Sequence, residues 1–352
     1  MRWESTFGSI ETEEQLYFLP KEKKIFRPFL FSSRLENRSY SLPLQRRITD
    51  FGSDVSFKEV NKKLQEHYGI EVPESSIRVI TLQHGDKMKK LRDEELGFKE
   101  KEISTSYIIS ETDGSMIPIV EPSKDENVTD KRKNKKLFYR EARLTMARPI
   151  GMIKGFFSAI LGNVEESGKH ILYCVKKIGF NAQTKIHCVG DGASWIASQV
   201  AEKLGSQSTY LIDFFHVCEY LADAAGFCCR GKPKKDWMKT QKDLLKDNQA
   251  LQVCETLYPF IESEETPDIE APVRRCHRYI KNRLHQLDYK TAIENNLPIG
   301  SGEIESGHRY VIQKRLKIPG AWWLDENAHK MLALRSLRVN DNWDEYWRKH
   351  AS

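Results

Sequence analysis

Residues 107–115 read YIISETDGS, and this stretch decides the predicted fold. An apolar strand at its start runs into Asp113, which a glycine follows. Residues 186–193 read IHCVGDGA and repeat the plan around Asp191. An aspartate at a strand end can face a cleft at the edge of a sheet, although Asp-Gly is also a common tight turn. For each aspartate alone the turn is the simpler interpretation, and the pair together favours a site.

The segments around these aspartates predict an α/β domain over residues 101–352. Strand-like runs follow at 137–146 and 153–161, then a helical segment, the strand at 186–189, and a strand and helix over 210–225. Three consecutive strands fit an antiparallel meander, and the later alternation fits parallel crossovers. This β-β-β-α-β-α-β-α order is that of an RNase H-like mixed sheet. Residues 226–296 are mostly polar and helical in pattern, which predicts a helical insertion.

Residues 1–100 are predicted to form a small region ahead of that domain. Up to about residue 50 we expect short strands or an irregular arm. Ser56 and Glu59 then fit a capping box, and Gly69 fits a helix stop. A second helix opens near Pro73. Two helices around a glycine turn predict a helix-turn-helix near 56–84.

A helix-turn-helix inserts its second helix into the major groove of DNA. Arg78 and Gln83 fall on the polar side of that helix, so we expect both to face DNA. Helical hairpins with a glycine turn also occur in folds that never contact DNA. The motif alone therefore leaves both interpretations open.

Composition limits the class of protein. Hydrophobic residues make up 39% and charged residues 30%, as in a soluble globular protein, and we expect a cytosolic location. The net charge of +6 is modest, but cations crowd into residues 131–136 and 230–235. Such runs suit phosphate contact or a solvated face. The 7 cysteines form no CxxC pair, which argues against a zinc ribbon.

Acidic residues are the candidate chemical groups. Hard divalent cations take oxygen ligands, and two such ions can activate a nucleophile and stabilise a leaving oxygen in phosphodiester chemistry. Asp113 and Asp191 are candidate ligands. A third should come from a helix after residues 300–302, where Glu303 and Glu305 point to different helix faces. Spacing alone does not choose between these two glutamates.

Four segments together carry a family resemblance: ETDGS at 111–115, GDGASWI at 190–196, LIDFFH at 211–216 and PIGSGEIES at 298–306. They resemble DDE transposases of bacterial insertion sequences, in the Kra-type group related to Mutator-like enzymes. The likeness runs from about Leu42 to Trp347. It implies that Asp113, Asp191 and Glu305 hold Mg²⁺, for which Mn²⁺ can substitute. It also implies DNA strand cleavage and strand transfer.

The resemblance implies further site residues. Asp213 and His216 match an Asp-x-x-His motif, in which His216 contacts a phosphate or simply starts a helix. Arg315 and Lys317 would meet DNA phosphates or remain solvated. The expected partners are the terminal inverted repeats of the element and target DNA, bound by a homo-oligomer.

Two other functions compete with an active transposase. One is a DNA-binding regulator in which the acids have no catalytic role. The other is a structure-directed nuclease of the same fold that performs no strand transfer. Binding a polyanion gains nothing from clustered carboxylates, so the acids favour an enzyme.

Overall fold

The computed structural model describes residues 2–32, 40–96, 104–123, 134–229, 231 and 233–351. Several cations of the two basic runs lie outside these described residues, namely Lys131, Arg132, Lys133, Arg230 and Lys232. The predicted boundary between residues 100 and 101 also lies outside them.

Two antiparallel hairpins begin the described chain. The first pairs β1 (Arg2–Ser5) with β2 (Gly8–Glu11), and the second pairs β3 (Tyr17–Leu19) with β4 (Lys24–Phe26). A short helix, α1 (Pro28–Ser32), follows. These strands confirm the prediction of short strands near the N-terminus.

Three helices come next and share one apolar core: α2 (Leu42–Asp54), α3 (Phe57–Tyr68) and α4 (Glu74–Glu95). Ser56 and Glu59 form the predicted capping box at the start of α3. Gly69 ends α3 with a φ of 65°, a left-handed conformation that glycine adopts without strain. The predicted helices on either side of Gly69 are therefore present.

Helix α2 lies in a segment whose sequence shows no clear helical period. Its buried side chains include Leu44 and Ile48, but also the polar Gln45 and Thr49. Because polar residues share the buried face, the apolar pattern that marks an amphipathic helix is incomplete. The expectation of an irregular arm is wrong for this helix.

The later part of the described chain is a mixed α/β arrangement. Five strands among the described residues form one sheet: β5 (Tyr107–Glu121), β6 (Lys136–Pro149), β7 (Phe156–Ile160), β8 (Lys185–Gly190) and β9 (Ser208–Ile212). Helices follow β7, β8 and β9 in turn: α5 (Val164–Ile178), α6 (Ser194–Leu204) and α7 (Phe214–Cys228). The predicted order of strands and helices is confirmed.

Further helices complete the described chain. The predicted helical insertion contains α8 (Lys234–Lys246), α9 (Ala250–Leu257), α10 (Pro272–Lys281) and α11 (Tyr289–Glu294). A helical run then comprises α12 (Gly302–Gly307), a π-helical segment (His308–Gln313) and α13 (Lys314–Leu316). The last helices are α14 (Asp325–Val339) and α15 (Trp343–Ala351). No helix among the described residues is long and apolar enough to cross a membrane.

The strand order across the sheet is β7-β6-β5-β8-β9. Strands β5, β6 and β7 pair antiparallel, whereas β8 runs parallel to β5 and β9. Helices α5 and α6 share an apolar core with one face of the sheet, which includes Ile108 and Ile186. Helices α12 and α14 pack against the other face, where Leu144 and Ile304 are fully buried. The sheet is therefore covered by helices on both faces.

Helix α14 connects the N-terminal helices to the sheet. Arg335 and Arg338 of α14 form ion pairs with Asp54 and Asp50 of α2. Helix α4 also packs closely on α14, because a Cβ atom placed on Gly85 would lie 3.0 Å from the carbonyl oxygen of Lys330. The close approach of the two helices requires glycine at position 85.

We predict that Gly85→Leu destabilises the fold by about 1–3 kcal/mol, because the new side chain would force α4 and α14 apart. The matched control is Gly226→Leu in α7, where no atom lies within 4 Å of the added Cβ. Urea unfolding of both variants measures the difference. Equal stability of the two variants would show that α4 and α14 do not pack as described.

Candidate functional site

Asp113 and Asp191 lie at the same level of the sheet. The parallel pairing of β5 with β8 ends at Glu111 and Val189. Asp113 stands two residues further along β5, whereas Asp191 stands two residues further along the chain, directly after the last residue of β8. Register partners in parallel strands place their side chains on the same face, and that face repeats every two residues. Asp113 therefore shares the face of Glu111, which α12 covers, and Asp191 lies just beyond the end of the neighbouring strand β8.

The turn interpretation holds for one aspartate and fails for the other. Asp191 follows the last residue of β8, and Gly192 has a φ of 84°, so this Asp-Gly pair does form a turn. Asp113 lies inside β5, where it pairs with Leu144 and the strand continues to Glu121. The predicted strand end at residue 110 is wrong, because pairing with β6 carries the strand through Gly114.

Each aspartate carboxyl group is held by a local backbone N–H group. Asp113 Oδ1 accepts a hydrogen bond from Gly114 N at 2.7 Å, and Asp191 Oδ1 accepts one from Ala193 N at 2.8 Å. Asp113 Oδ2 also lies 3.2 Å from Nε2 of the buried His308. That distance fits an ion pair, but among the described residues neither ring nitrogen of His308 makes an aligned hydrogen bond. Sequence reasoning missed this histidine.

The helical insertion holds the turn that carries Asp191. Tyr279 of α10 donates its hydroxyl to the carbonyl oxygen of Asp191 at 2.7 Å, and Arg283 Nε donates to the carbonyl of Gly192 at 3.1 Å. Gly192 N donates to the Tyr210 hydroxyl at 3.2 Å. A Cβ atom on Gly192 would lie 2.2 Å from the Tyr279 hydroxyl, so only glycine fits. The insertion thus fixes the backbone at one of the two aspartates.

The structure separates the roles of Glu303 and Glu305. Arg148 on β6 donates two hydrogen bonds to the carboxylate of Glu303, both at 2.6 Å. Such a bidentate pair engages both carboxylate oxygens. Glu305 is exposed on α12, so its carboxyl group remains accessible to a ligand.

Three residues on one side of the helical run from Ser301 to His308 include the proposed third ligand. Ser301, Glu305 and His308 are spaced by four and three residues, so they share a helix side. The Ser301 side chain bonds to Asp213, which follows β9, and His308 lies beside Asp113 on β5. Glu305 lies between these two contacts along the helix.

Asp213 links two helix starts. Its Oδ1 accepts hydrogen bonds from the backbone N–H groups of Phe215 at 2.6 Å and His216 at 3.2 Å. Its Oδ2 accepts from Ser301 N at 2.7 Å and from Ser301 Oγ at 2.5 Å. The side chain of His216 instead makes edge-to-face contacts with Tyr220 and Tyr279, whose rings stack on each other at 4.2 Å. The Asp-x-x-His pair therefore starts a helix, and only the backbone of its histidine meets the aspartate.

Glu111 is a buried acid beneath α12. Its Oε2 accepts a hydrogen bond from Ile304 N at 2.8 Å, and the residue is 1% exposed. Burial raises the pKa of this carboxyl group to about 8, and the nearby negative charge of Glu303 adds to the rise, while the bond from Ile304 opposes it. Glu111 of β5 thus binds the first turn of α12 from the sheet.

The carboxyl groups of Asp113, Asp191 and Glu305 are not gathered into one cluster. In the described ranges, no three His, Cys, Asp or Glu side chains are grouped so that they could hold a metal ion. The residues are chemically suited to Mg²⁺, since all three offer oxygen ligands. The structure brings their three elements to one edge of the sheet but does not assemble the predicted three-ligand site.

The candidate DNA-contacting residues fall into two groups. Arg78 and Gln83 are exposed and line a groove of about 640 Å³ between α4 and α14, and Lys317 is exposed beyond α13. Arg315 is only 3% exposed, and its guanidinium lies 4.7 Å from the ring centroids of both Phe57 and Trp323. The expectation that Arg315 meets DNA is corrected, because tertiary packing buries it.

No protein-family model matches the chain, and no curated protein matches it in sequence.

Glu111 makes stability depend on pH. The pKa of Glu111 in the folded chain is about 8, above the ordinary value of 4.5. Between these two pH values the folded chain therefore keeps a proton on Glu111 that the unfolded chain has lost. The resulting stabilisation is complete below pH 4.5 and declines as the pH rises towards 8. Glu111→Gln keeps an acceptor for Ile304 N without a charge. In the unmodified chain the free energy of unfolding should fall between pH 5 and 8. In Glu111→Gln we expect this fall to be smaller by about 2–4 kcal/mol.

Urea unfolding at both pH values measures this effect, with the exposed Glu255→Gln of α9 as the control. The same decline in Glu111→Gln as in the unmodified chain would show that Glu111 is not the group responsible.

Proposed function

We propose that this chain is a DDE-type DNA transposase that binds insertion-sequence ends and catalyses metal-dependent strand cleavage and strand transfer. The observation that carries the proposal is the placement of Asp113 on β5 and of Asp191 directly after the adjacent parallel strand β8, with Glu305 on a helix that packs on the same sheet. Three oxygen-ligand side chains at one sheet edge suit phosphodiester chemistry with divalent ions.

The topology supports an RNase H-like catalytic domain. A meander of three antiparallel strands is extended by two parallel strands, with β5 in the middle of the order β7-β6-β5-β8-β9. Helices lie on both faces, and the predicted insertion follows α7. In the proposed assignment the N-terminal region of about 100 residues precedes this domain.

Asp113, Asp191 and Glu305 would hold Mg²⁺, and Mn²⁺ would serve in its place. When bound, such ions lower the pKa of a water or hydroxyl nucleophile and stabilise the leaving oxygen. The remaining contributions come from the chain itself. Arg148 pairs with the carboxylate of Glu303, and the Tyr279 hydroxyl fixes the turn at Asp191 by its hydrogen bond to the carbonyl oxygen there. His308 Nε2 lies 3.2 Å from Asp113 on the side of α12.

Helices α3 and α4 would act as a helix-turn-helix. Arg78 and Gln83 are exposed on α4, and Lys87, Lys90 and Lys330 line the same groove. Asp86 also lines the groove and pairs with Lys90 and Lys330, so that the groove retains a net positive charge that suits the phosphates of an inverted-repeat end. In this proposal Lys317 adds a phosphate contact. Paired ends and a target duplex imply a homo-oligomer on DNA in the bacterial cytoplasm, at the nucleoid.

A second candidate is a DNA-binding regulator derived from a transposase. Among the described residues, the carboxyl groups of the three acids are not grouped so that they could hold a metal ion, which favours this function. A regulator needs the exposed face of α4 and no assembled metal site. A nuclease without strand transfer would need the same acids as the transposase. Assays of cleavage and joining on one substrate separate the three functions.

We expect Asp191→Asn and Glu305→Gln to abolish cleavage and joining of a labelled end fragment with Mg²⁺ or Mn²⁺, because each removes a charged ligand. Both should leave DNA binding in a gel shift intact. The matched control is Glu303→Gln, which keeps measurable cleavage because Glu303 serves Arg148 instead. Full cleavage by Glu305→Gln together with loss in Glu303→Gln would reverse the assignment of the third acid.

We expect Arg78→Ala to weaken binding to the element end by about 1–3 kcal/mol if Arg78 reads a base, and to weaken binding to all DNA equally if it meets only phosphate. Titration of end and unrelated duplexes at two salt concentrations measures both. The exposed Lys239→Ala of α8 is the control. Unchanged binding of Arg78→Ala to either duplex would remove Arg78 from the interface.

A further inference from the structure

We infer that Asp213 is a positioning residue, which ties the start of α12 to the end of β9 and thereby places Glu305. The inference rests on the proposed function for its catalytic consequence, but its structural part stands on contacts within the chain. Asp213 itself lies outside the three proposed ligands, and its role is to hold the backbone that carries one of them.

Asp213 is buried, and the contacts of its carboxyl group are all hydrogen bonds that it accepts. The residue is 3% exposed, and its carboxyl group accepts from four donors, two at the start of α7 and two on Ser301. A buried carboxyl group with satisfied lone pairs is strongly directional. Asp213 therefore fixes the distance between β9 and the Gly-Ser-Gly segment at residues 300–302.

The path from Ser301 to Glu305 is one helical turn. Glu305 N donates to the carbonyl oxygen of Ser301 at 3.3 Å, so Glu305 stands one turn after the residue that Asp213 holds. The two glycines of the segment have no side chains to anchor it, and Gly302 has no neighbour within 4 Å of an added Cβ. The bonds to Ser301 supply the anchoring that the glycines do not.

Other contacts keep the segment folded when Asp213 is changed. Three hydrogen bonds from the sheet side hold its neighbours: Phe214 N to the Ile299 carbonyl at 2.8 Å, His187 Nε2 with the Pro298 carbonyl at 2.8 Å, and Ile304 N to Glu111 Oε2 at 2.8 Å. Loss of the Asp213 bonds should therefore displace α12 without unfolding it.

The variant Asp213→Asn separates the two tasks of the side chain. Its amide oxygen can still accept from the start of α7, while its amide N–H₂ would face the two donors of Ser301 and cannot accept from them. Ser301→Ala is a milder variant, since it keeps the backbone N–H bond to Asp213 and loses only the hydroxyl bond.

A matched control is available in the same chain. Asp288 is also a helix-capping aspartate, which accepts from Thr291 N at 3.2 Å at the start of α11. Asp288→Asn removes the charge of an exposed cap away from α12, and the Asp288 carboxyl group also accepts a hydrogen bond from Asn248. Any general effect of a weakened cap on stability should appear in both asparagine variants.

The experiment combines three readouts on the full chain: cleavage kinetics on a labelled end fragment, the Mn²⁺ concentration at half-maximal rate, and amide hydrogen exchange over residues 301–308. For Asp213→Asn we expect kcat to fall roughly 100-fold. We expect the half-saturating Mn²⁺ concentration to rise roughly tenfold. The Kd for DNA should stay unchanged, and amide exchange over residues 301–308 should accelerate. Ser301→Ala should give values of kcat and exchange between those of Asp213→Asn and the unmodified chain.

Unchanged kcat and unchanged exchange in Asp213→Asn would overturn the inference, and so would equal losses in Asp288→Asn. If the unmodified chain neither cleaves DNA nor binds Mn²⁺, the proposed function fails by itself. Exchange over 301–308 then decides the structural part: acceleration in Asp213→Asn but not in Asp288→Asn supports it, and no acceleration overturns it.

Discussion

The parallel register between β5 and β8 is the constraint on which the candidate site depends. Glu111 opposite Val189 places Asp113 of β5 near the end of β8, which Asp191 follows. Because side chains alternate along a strand, a slip of β5 by one residue would send Asp113 to the opposite face of the sheet. Helices on both faces bury apolar side chains of these strands, which makes such a slip costly.

Buried polar contacts then fix the irregular backbone around that edge. Asp213 holds Ser301, Glu111 holds the first turn of α12, and Tyr279 holds the turn at Asp191. A buried polar group without a partner costs about 1–3 kcal/mol, so each of these bonds strongly favours one arrangement. The insertion contributes to the site through Tyr279 and is not merely an addition to its periphery.

Repulsion between carboxylates bears on how the three proposed ligands would come together. Three ionised carboxylates held close together repel one another, and a divalent ion removes that repulsion. In our proposal Glu305 joins the two aspartates when an ion is present. Glu303 cannot do so without giving up Arg148, whose guanidinium would then be left buried without its partner.

Local signals predicted much of the fold. The capping box at Ser56 and the helix stop at Gly69 are encoded within a few residues. The order of strands and helices along the chain followed from the apolar runs. Tertiary contacts could not be predicted in this way. Arg315 has the sequence signature of a surface cation, yet two aromatic rings bury it, and the extension of β5 past Asp113 depends on pairing with β6.

The contact of Asp213 with Ser301 and that of His308 with Asp113 were likewise not predictable from the sequence. Asp213 meets a residue 88 positions away, and His308 meets a strand almost two hundred positions earlier. No spacing rule connects such pairs. The resemblance named Glu305, and only the structure showed that Glu303 is engaged by Arg148.

The most direct test of the account is anomalous diffraction from crystals of the chain with an end duplex and Mn²⁺. We predict an anomalous peak within roughly 2.5 Å of carboxylate oxygens of Asp113 and Asp191, with Glu305 as a third ligand and Glu303 still paired with Arg148. A peak bound by other residues, or no peak at this edge of the sheet at saturating Mn²⁺, would contradict the account.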